Sequence, residues 1–98
     1  MKKPTAQIMR KHKRVPMTVP VFYDDRQYPT NEKETLLSRG TVRDFSDSGI
    51  CFFTNVPLHR GESITVFCKD IWSAEKCGTV LWCNILDLRL FRIGVSLQ

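Results

Sequence analysis

Two short motifs hold the residues best suited to chemistry. The first is Arg10-Lys11-His12-Lys13-Arg14, an R-x-x-x-R with two guanidinium groups four positions apart. The second is Asp44-Phe45-Ser46-Asp47-Ser48-Gly49, a D-x-S-x-x-G. Arginine forks bind planar acceptors and phosphate oxygens, and an ionised aspartate accepts from N–H groups. Each motif also has a structural explanation. Paired arginines occur in basic tails, and Asp, Ser and Gly in a turn cap backbone amides or take positive φ.

Other chemistry is poorly supported. The four cysteines, Cys51, Cys68, Cys77 and Cys83, lie 17, 9 and 6 positions apart and form no C-x-x-C. That spacing matches no common zinc pattern, and neither His12 nor His59 stands at ligand distance from a cysteine. Three of the thiols sit in apolar runs and read as small buried groups in a reducing compartment. No histidine is paired with a nucleophile, and there is no phosphate loop of the P-loop kind. Asp44 with Ser46 lacks a base. No catalysis, metal or cofactor is expected.

Charge singles out one segment. The chain of 98 residues carries a net charge of +5. Residues 1–14 hold six bases and no acid, leaving the rest at −1. This arm suits a phosphate-bearing partner or an anionic surface, or it is a solvated tail. No apolar run reaches the length of a membrane span, and no apolar stretch follows the N-terminal charges as in a secretory signal. A cytoplasmic protein is expected, with an arm over 1–14 and one domain over 15–98.

The elements that must position these residues are strands. Val15, Met17, Val19, Val21 and Tyr23 share a face by period two. Pro16 and Pro20 interrupt this run, which predicts an edge or partly paired strand. Residues 24–34 read as a loop. Thr35 to Phe45 and Ile50 to Thr54 predict a hairpin around Ser46 to Gly49. Further strands are expected at Ile64, Val66 and Cys68, at Glu75 to Cys83, and at Phe91, Ile93, Val95 and Leu97. Asn84 to Arg89 reads as a loop or one helical turn. About six short strands with no amphipathic helix predict a closed or nearly closed antiparallel barrel.

In this order the two motifs resemble those of the PilZ domain family. RVPMTVPVFY is similar to that family's first strand, LHRGESITVF to its L-x-x-G turn and following strand, and GTVLW and FRIGVSL to its last two strands. The resemblance covers residues 10–97. It implies an all-β, six-stranded antiparallel barrel that receives the bacterial second messenger cyclic di-GMP without catalysis. Arg10, Arg14, Asp44, Ser46 and Gly49 would bind the ligand, with Lys11, Lys13 and Ser48 as secondary contacts.

The chemistry agrees. An arginine fork fits the O6/N7 edge of guanine and also pairs with phosphate. Asp44 could accept from guanine N1–H and the exocyclic amine. Ser46 offers a hydroxyl, and Gly49 lets backbone come close. Asp47 either points to solvent or weakens affinity. Met9 adds no third fork, which favours one ligand molecule over an intercalated pair. Many relatives continue into a C-terminal helix over one barrel opening; here that helix is expected to be short or absent, which would leave the opening to a loop or a second copy. The expected mechanism is a switch: the arm folds over the ligand and alters the surface met by an effector protein. The competing reading is a small barrel that binds single-stranded nucleic acid through its basic arm.

Overall fold

The computed structural model describes residues 13–24 and 37–98. These residues are all β: β1 (Val15–Pro16), β2 (Pro20–Asp24), β3 (Ser38–Ser46), β4 (Gly49–Thr54), β5 (Ser63–Phe67), β6 (Lys76–Asp87) and β7 (Leu90–Leu97). Every pairing is antiparallel. Around the ring the order runs β3, β2, β5, β6, β7, β4, and β4 pairs back onto β3. The result is a closed six-stranded barrel, because β1 and β2 are two halves of one strand laid along β3.

The prolines do split the first strand. Its halves flank Met17–Val19, where Met17 N–H donates to Arg43 O and Val42 N–H donates to Val19 O. The strand is partly paired, as expected: β1 pairs with β3 alone, whereas β2 pairs with β3 on one side and with β5 on the other. The expected alternation holds, with burial deepening from exposed Val15 to Val21 and Tyr23.

Alternate positions of every long strand fill the interior. Val21, Tyr23, Val42, Ile50, Phe52, Ile64, Val66, Val80, Ile93 and Val95 form its core. Tyr23 and Phe52 are the largest fully buried side chains, with ring centroids 5.2 Å apart. A buried phenol needs a partner. Tyr23 O–H donates to Thr54 Oγ1 at 2.7 Å, and the Thr54 hydroxyl donates to Arg39 O at 3.4 Å.

The L-x-x-G turn closes the β4–β5 connection. Leu58 anchors it in the core, Glu62 N–H donates to His59 O at 3.0 Å, and Gly61 takes φ 90°. Only glycine adopts that angle without strain.

Asn84 to Arg89 is neither a loop nor a helical turn. β6 runs on to Asp87, turns at residues 88–89 and returns as β7. Bulges at Leu81 and Leu86 interrupt the register with β7, which hides the strand alternation from a sequence pattern.

Candidate functional site

The β3–β4 hairpin turns at Asp47 and Ser48, between the paired residues Ser46 and Gly49. Ser46 is 4% exposed. Its Oγ accepts from Ser48 N–H at 3.3 Å and lies 3.4 Å from Ser48 Oγ. The serine hydroxyl therefore braces the turn, as the structural explanation of the motif requires. Ser48 O accepts from Leu97 N–H at 2.9 Å, which ties the turn to β7. Asp47 is exposed.

Gly49 does not take positive φ. A Cβ there would stand 3.0 Å from Val95 O and 3.3 Å from Arg14 Nη1. The glycine is needed for close approach, not for a left-handed turn.

One residue before the first strand, Arg14 reaches across to β3. Its Nε donates to Asp44 Oδ1 at 2.8 Å, and its Nη2 donates to the same oxygen. Pairing of Val15 with Phe45 and of Pro16 with Asp44 fixes this geometry, so a contact across 30 positions follows from strand register.

A bulge at Arg43 completes the corner. Val42 pairs with Phe52 and Asp44 with Cys51, leaving Arg43 as the extra residue. A bulge re-aims side chains. Arg43 lies beside Asp44 and donates from Nη1 to Oδ2 at 3.0 Å. The carboxylate is therefore held by two arginines, one per oxygen. At 16% exposure, with Arg14 at 37% and Arg43 at 53%, it is the most shielded of the three. Charge-assisted hydrogen bonds of this kind contribute about 1.5–3 kcal/mol.

These residues border an open depression of about 220 Å³, lined also by Ile50, Cys51, Leu81, Trp82, Gly94 and Val95. The Leu81 bulge leaves both Leu81 and Trp82 on the outer surface. Trp82 lies directly over Gly94, where a Cβ would come within 2.2 Å of the indole. Arg92 stands 5.7 Å from the same ring, and its Nε is buried with no hydrogen-bond partner among the described residues. Two arginines against one aspartate make the rim positive, and Arg92 adds to it. The depression thus offers an aromatic plate, guanidinium donors and a carboxylate acceptor within one shallow bowl.

A larger depression, about 450 Å³, lies beside β5 and β6, lined by Asp24, Ser63, Thr65, Cys77 and Gln98 among others. Among the described residues, no basic side chain borders it.

Of the residues singled out in sequence, Arg14, Asp44 and Gly49 converge, Ser46 and Ser48 shape the turn behind them, and Lys13 is exposed nearby in sequence. Arg10 and Lys11 lie outside the described residues. Sequence reasoning did not assign Arg43, Trp82, Arg92 or Gly94 to the site. The only signals were that Arg43 adjoins Asp44 and that GTVLW and RIGV are short recognisable strings.

The cysteines divide by burial. Burial pushes the Cys51 thiol up, and Asp44 adds to that shift. Burial also raises Cys68, whose thiol donates to Pro20 O at 3.4 Å. Cys77 is exposed and Cys83 half-buried. Among the described residues, no three His, Cys, Asp or Glu side chains form a metal-binding group. No described helix is long and apolar enough to cross a membrane.

Comparison with curated proteins gives no match. The family model of the PilZ domain matches residues 9–98, which include both motifs and every described strand. This chain, with its closed barrel and its arginine–aspartate corner, belongs to the PilZ domain family, whose members bind cyclic di-GMP.

Proposed function

We propose that this chain is a non-catalytic receptor for cyclic di-GMP that signals to a partner protein through a change in its surface. The observation that carries the reading is the meeting of the two motifs: Arg14 on Asp44, with Gly49 beneath the Arg14 Nη1 group. The ligand's two phosphates and two guanines need cationic forks, a flat stacking surface and an acceptor for the base N–H groups. Arg14 and Arg43 supply forks, Trp82 the surface and Asp44 the acceptor. Arg10, four positions before Arg14, supplies a further fork from the arm over residues 1–14, with Lys11 and Lys13 adding positive field. Ser46 acts through the turn it braces.

The switch follows from competition. Asp44 accepts from Arg14 and Arg43 through the same lone pairs that a guanine edge requires. Transfer of either guanidinium to phosphate or to a base edge frees carboxylate oxygen for guanine N1–H. Charged pairs replace charged pairs, so the exchange costs little. The corner's outline changes with it, and that outline is what an effector would read.

Calorimetry of the purified protein with cyclic di-GMP tests this. Binding heat from the wild type and at least a tenfold loss of affinity in Arg14→Ala are expected, because one fork contributes on the order of 1.5–3 kcal/mol. No heat from the wild type, or equal affinities, refutes the reading. A salt series separates it from single-stranded nucleic-acid binding, whose affinity falls steeply as several counterions are released.

A further inference from the structure

Gly94 leaves a gap on the outer face of β7, and Trp82 fills it. Ile93 and Val95 point into the core, so Arg92, Gly94 and Ser96 face outward by period two. Gly94 stands opposite Trp82 on β6, and the indole lies down over it. Two side chains flank Gly94 on this face. Ser96, opposite Thr79, is short. Arg92 is long, and its guanidinium carbon stands 5.7 Å from the indole centroid.

Two observations set Arg92 apart from an ordinary surface arginine. The first is its Nε, buried with no hydrogen-bond partner among the described residues. Buried donors are nearly always paired, so packing alone does not account for a guanidinium at this position. Lysine carries a methylene at that point of its side chain and would leave no such orphan. The second is its place in the charge cluster of the corner. Burial and Asp44 raise the Cys51 thiol, and Arg43, Arg92 and Arg14 pull against that rise. Trp82 lines the depression beside Cys51, whereas Arg92 stands behind it and does not.

We propose that Arg92 is a positioning residue, which holds the Trp82 indole down over Gly94 so that the stacking plate is already in place when a ligand base arrives; this rests on the cyclic di-GMP reading above. Trp82 is 37% exposed, so burial does not fix the ring. Its contacts on β7 must do so, and Gly94 offers backbone only. A cation beside an aromatic ring is attracted by the ring quadrupole and resists its swing towards water. A surface ordered beforehand spares the ligand the cost of immobilising it, which is how a residue that touches no ligand raises affinity.

The test is calorimetry of the full chain with cyclic di-GMP in a double-mutant cycle of Arg92→Ala and Trp82→Ala. Arg92→Ala alone should weaken binding about threefold or more, the fold-change of an exposed cation–π contact. In the Trp82→Ala background the same change should add no further loss, because the residue acts through the ring. Arg92→Lys keeps a cation within reach of the indole and should stay within about twofold of the wild type. Without ligand, in a Trp72→Phe background, acrylamide quenching of Trp82 should rise in Arg92→Ala and not in Arg92→Lys, with the thermal midpoint within a few degrees of its parent. Equal losses in both backgrounds would assign Arg92 to direct attraction of the ligand and overturn the proposal. So would unchanged quenching in Arg92→Ala. No binding heat from the wild type overturns the ligand reading and this role with it. A wild type that binds, beside an Arg92→Ala that binds equally well, overturns this role alone.

Discussion

Gly94→Ala separates the ligand surface from the scaffold. The added methyl would sit 2.2, 2.5 and 2.6 Å from Cε2, Cζ2 and Nε1 of Trp82, where ordinary contacts are 3.4–4 Å. The indole must withdraw by at least about 1 Å, and overpacking of this kind costs about 1–3 kcal/mol. Trp82 is 37% exposed, so the ring can swing towards water, which places the cost at the low end. Loss of a glycine also reduces the freedom of the unfolded chain and offsets about 0.4–1 kcal/mol. A net loss of about 0.5 kcal/mol should lower the thermal midpoint by about 2–4 °C. Ligand affinity should fall further than stability suggests, because the stacking plate has left its seat. In a Trp72→Phe background, indole emission reports Trp82 alone and should shift to the red. Gly40→Ala is the control. Its methyl would meet Phe53 O at 2.5 Å and the fully buried Phe52 ring at 2.9 Å, neither of which can move away. It should cost about 3 kcal/mol without a specific effect on binding. Unchanged Trp82 emission with unchanged affinity in Gly94→Ala, or a Gly40→Ala milder than Gly94→Ala, would refute the reasoning.

Further predictions concern the core and the thiols. Thr54→Val should destabilise by about 0.5–1.5 kcal/mol, since it removes the hydrogen bond between the Tyr23 and Thr54 hydroxyls inside the barrel; Tyr23→Phe/Thr54→Val should cost less than the two single changes added together, read by urea denaturation. Cys51 and Cys68 both have folded-state pKa values raised above the ordinary 9.0. Their contribution to stability is complete below pH 9 and is lost as pH rises through the raised values, because the unfolded thiols ionise first. Denaturation midpoints should therefore fall above pH 9, less so in Cys51→Ala, and Cys77 should react with a thiol reagent before either buried cysteine does.

Much of the architecture was legible in the residues because strands declare themselves by period two. Val21/Tyr23, Ile64/Val66 and Ile93/Val95 alternate cleanly, and all face inward. Gly61 marked a turn that only glycine makes without strain. Arg14, Asp44 and Gly49 could be named because their types and order form a pattern, and the structure brings the three together. The prolines were read correctly as marks of an interrupted, partly paired strand: β1 pairs with β3 alone, and only β2, which Pro20 opens, has a strand on both sides.

Parity was decided elsewhere. Bulges at Arg43, Leu81 and Leu86 reverse which side each following residue faces, and none carries a glycine or other local mark. Because of them Arg43 joins Asp44, Trp82 joins the site, and Asn84 to Arg89 escaped recognition as strand and turn. A bulge is a mismatch in length between two paired strands, so it belongs to neither strand's residues alone. The sequence by itself determined most of the segments that become strands and singled out Arg14, Asp44 and Gly49; only closure of the ring, which sets every register at once, decided what stands beside them.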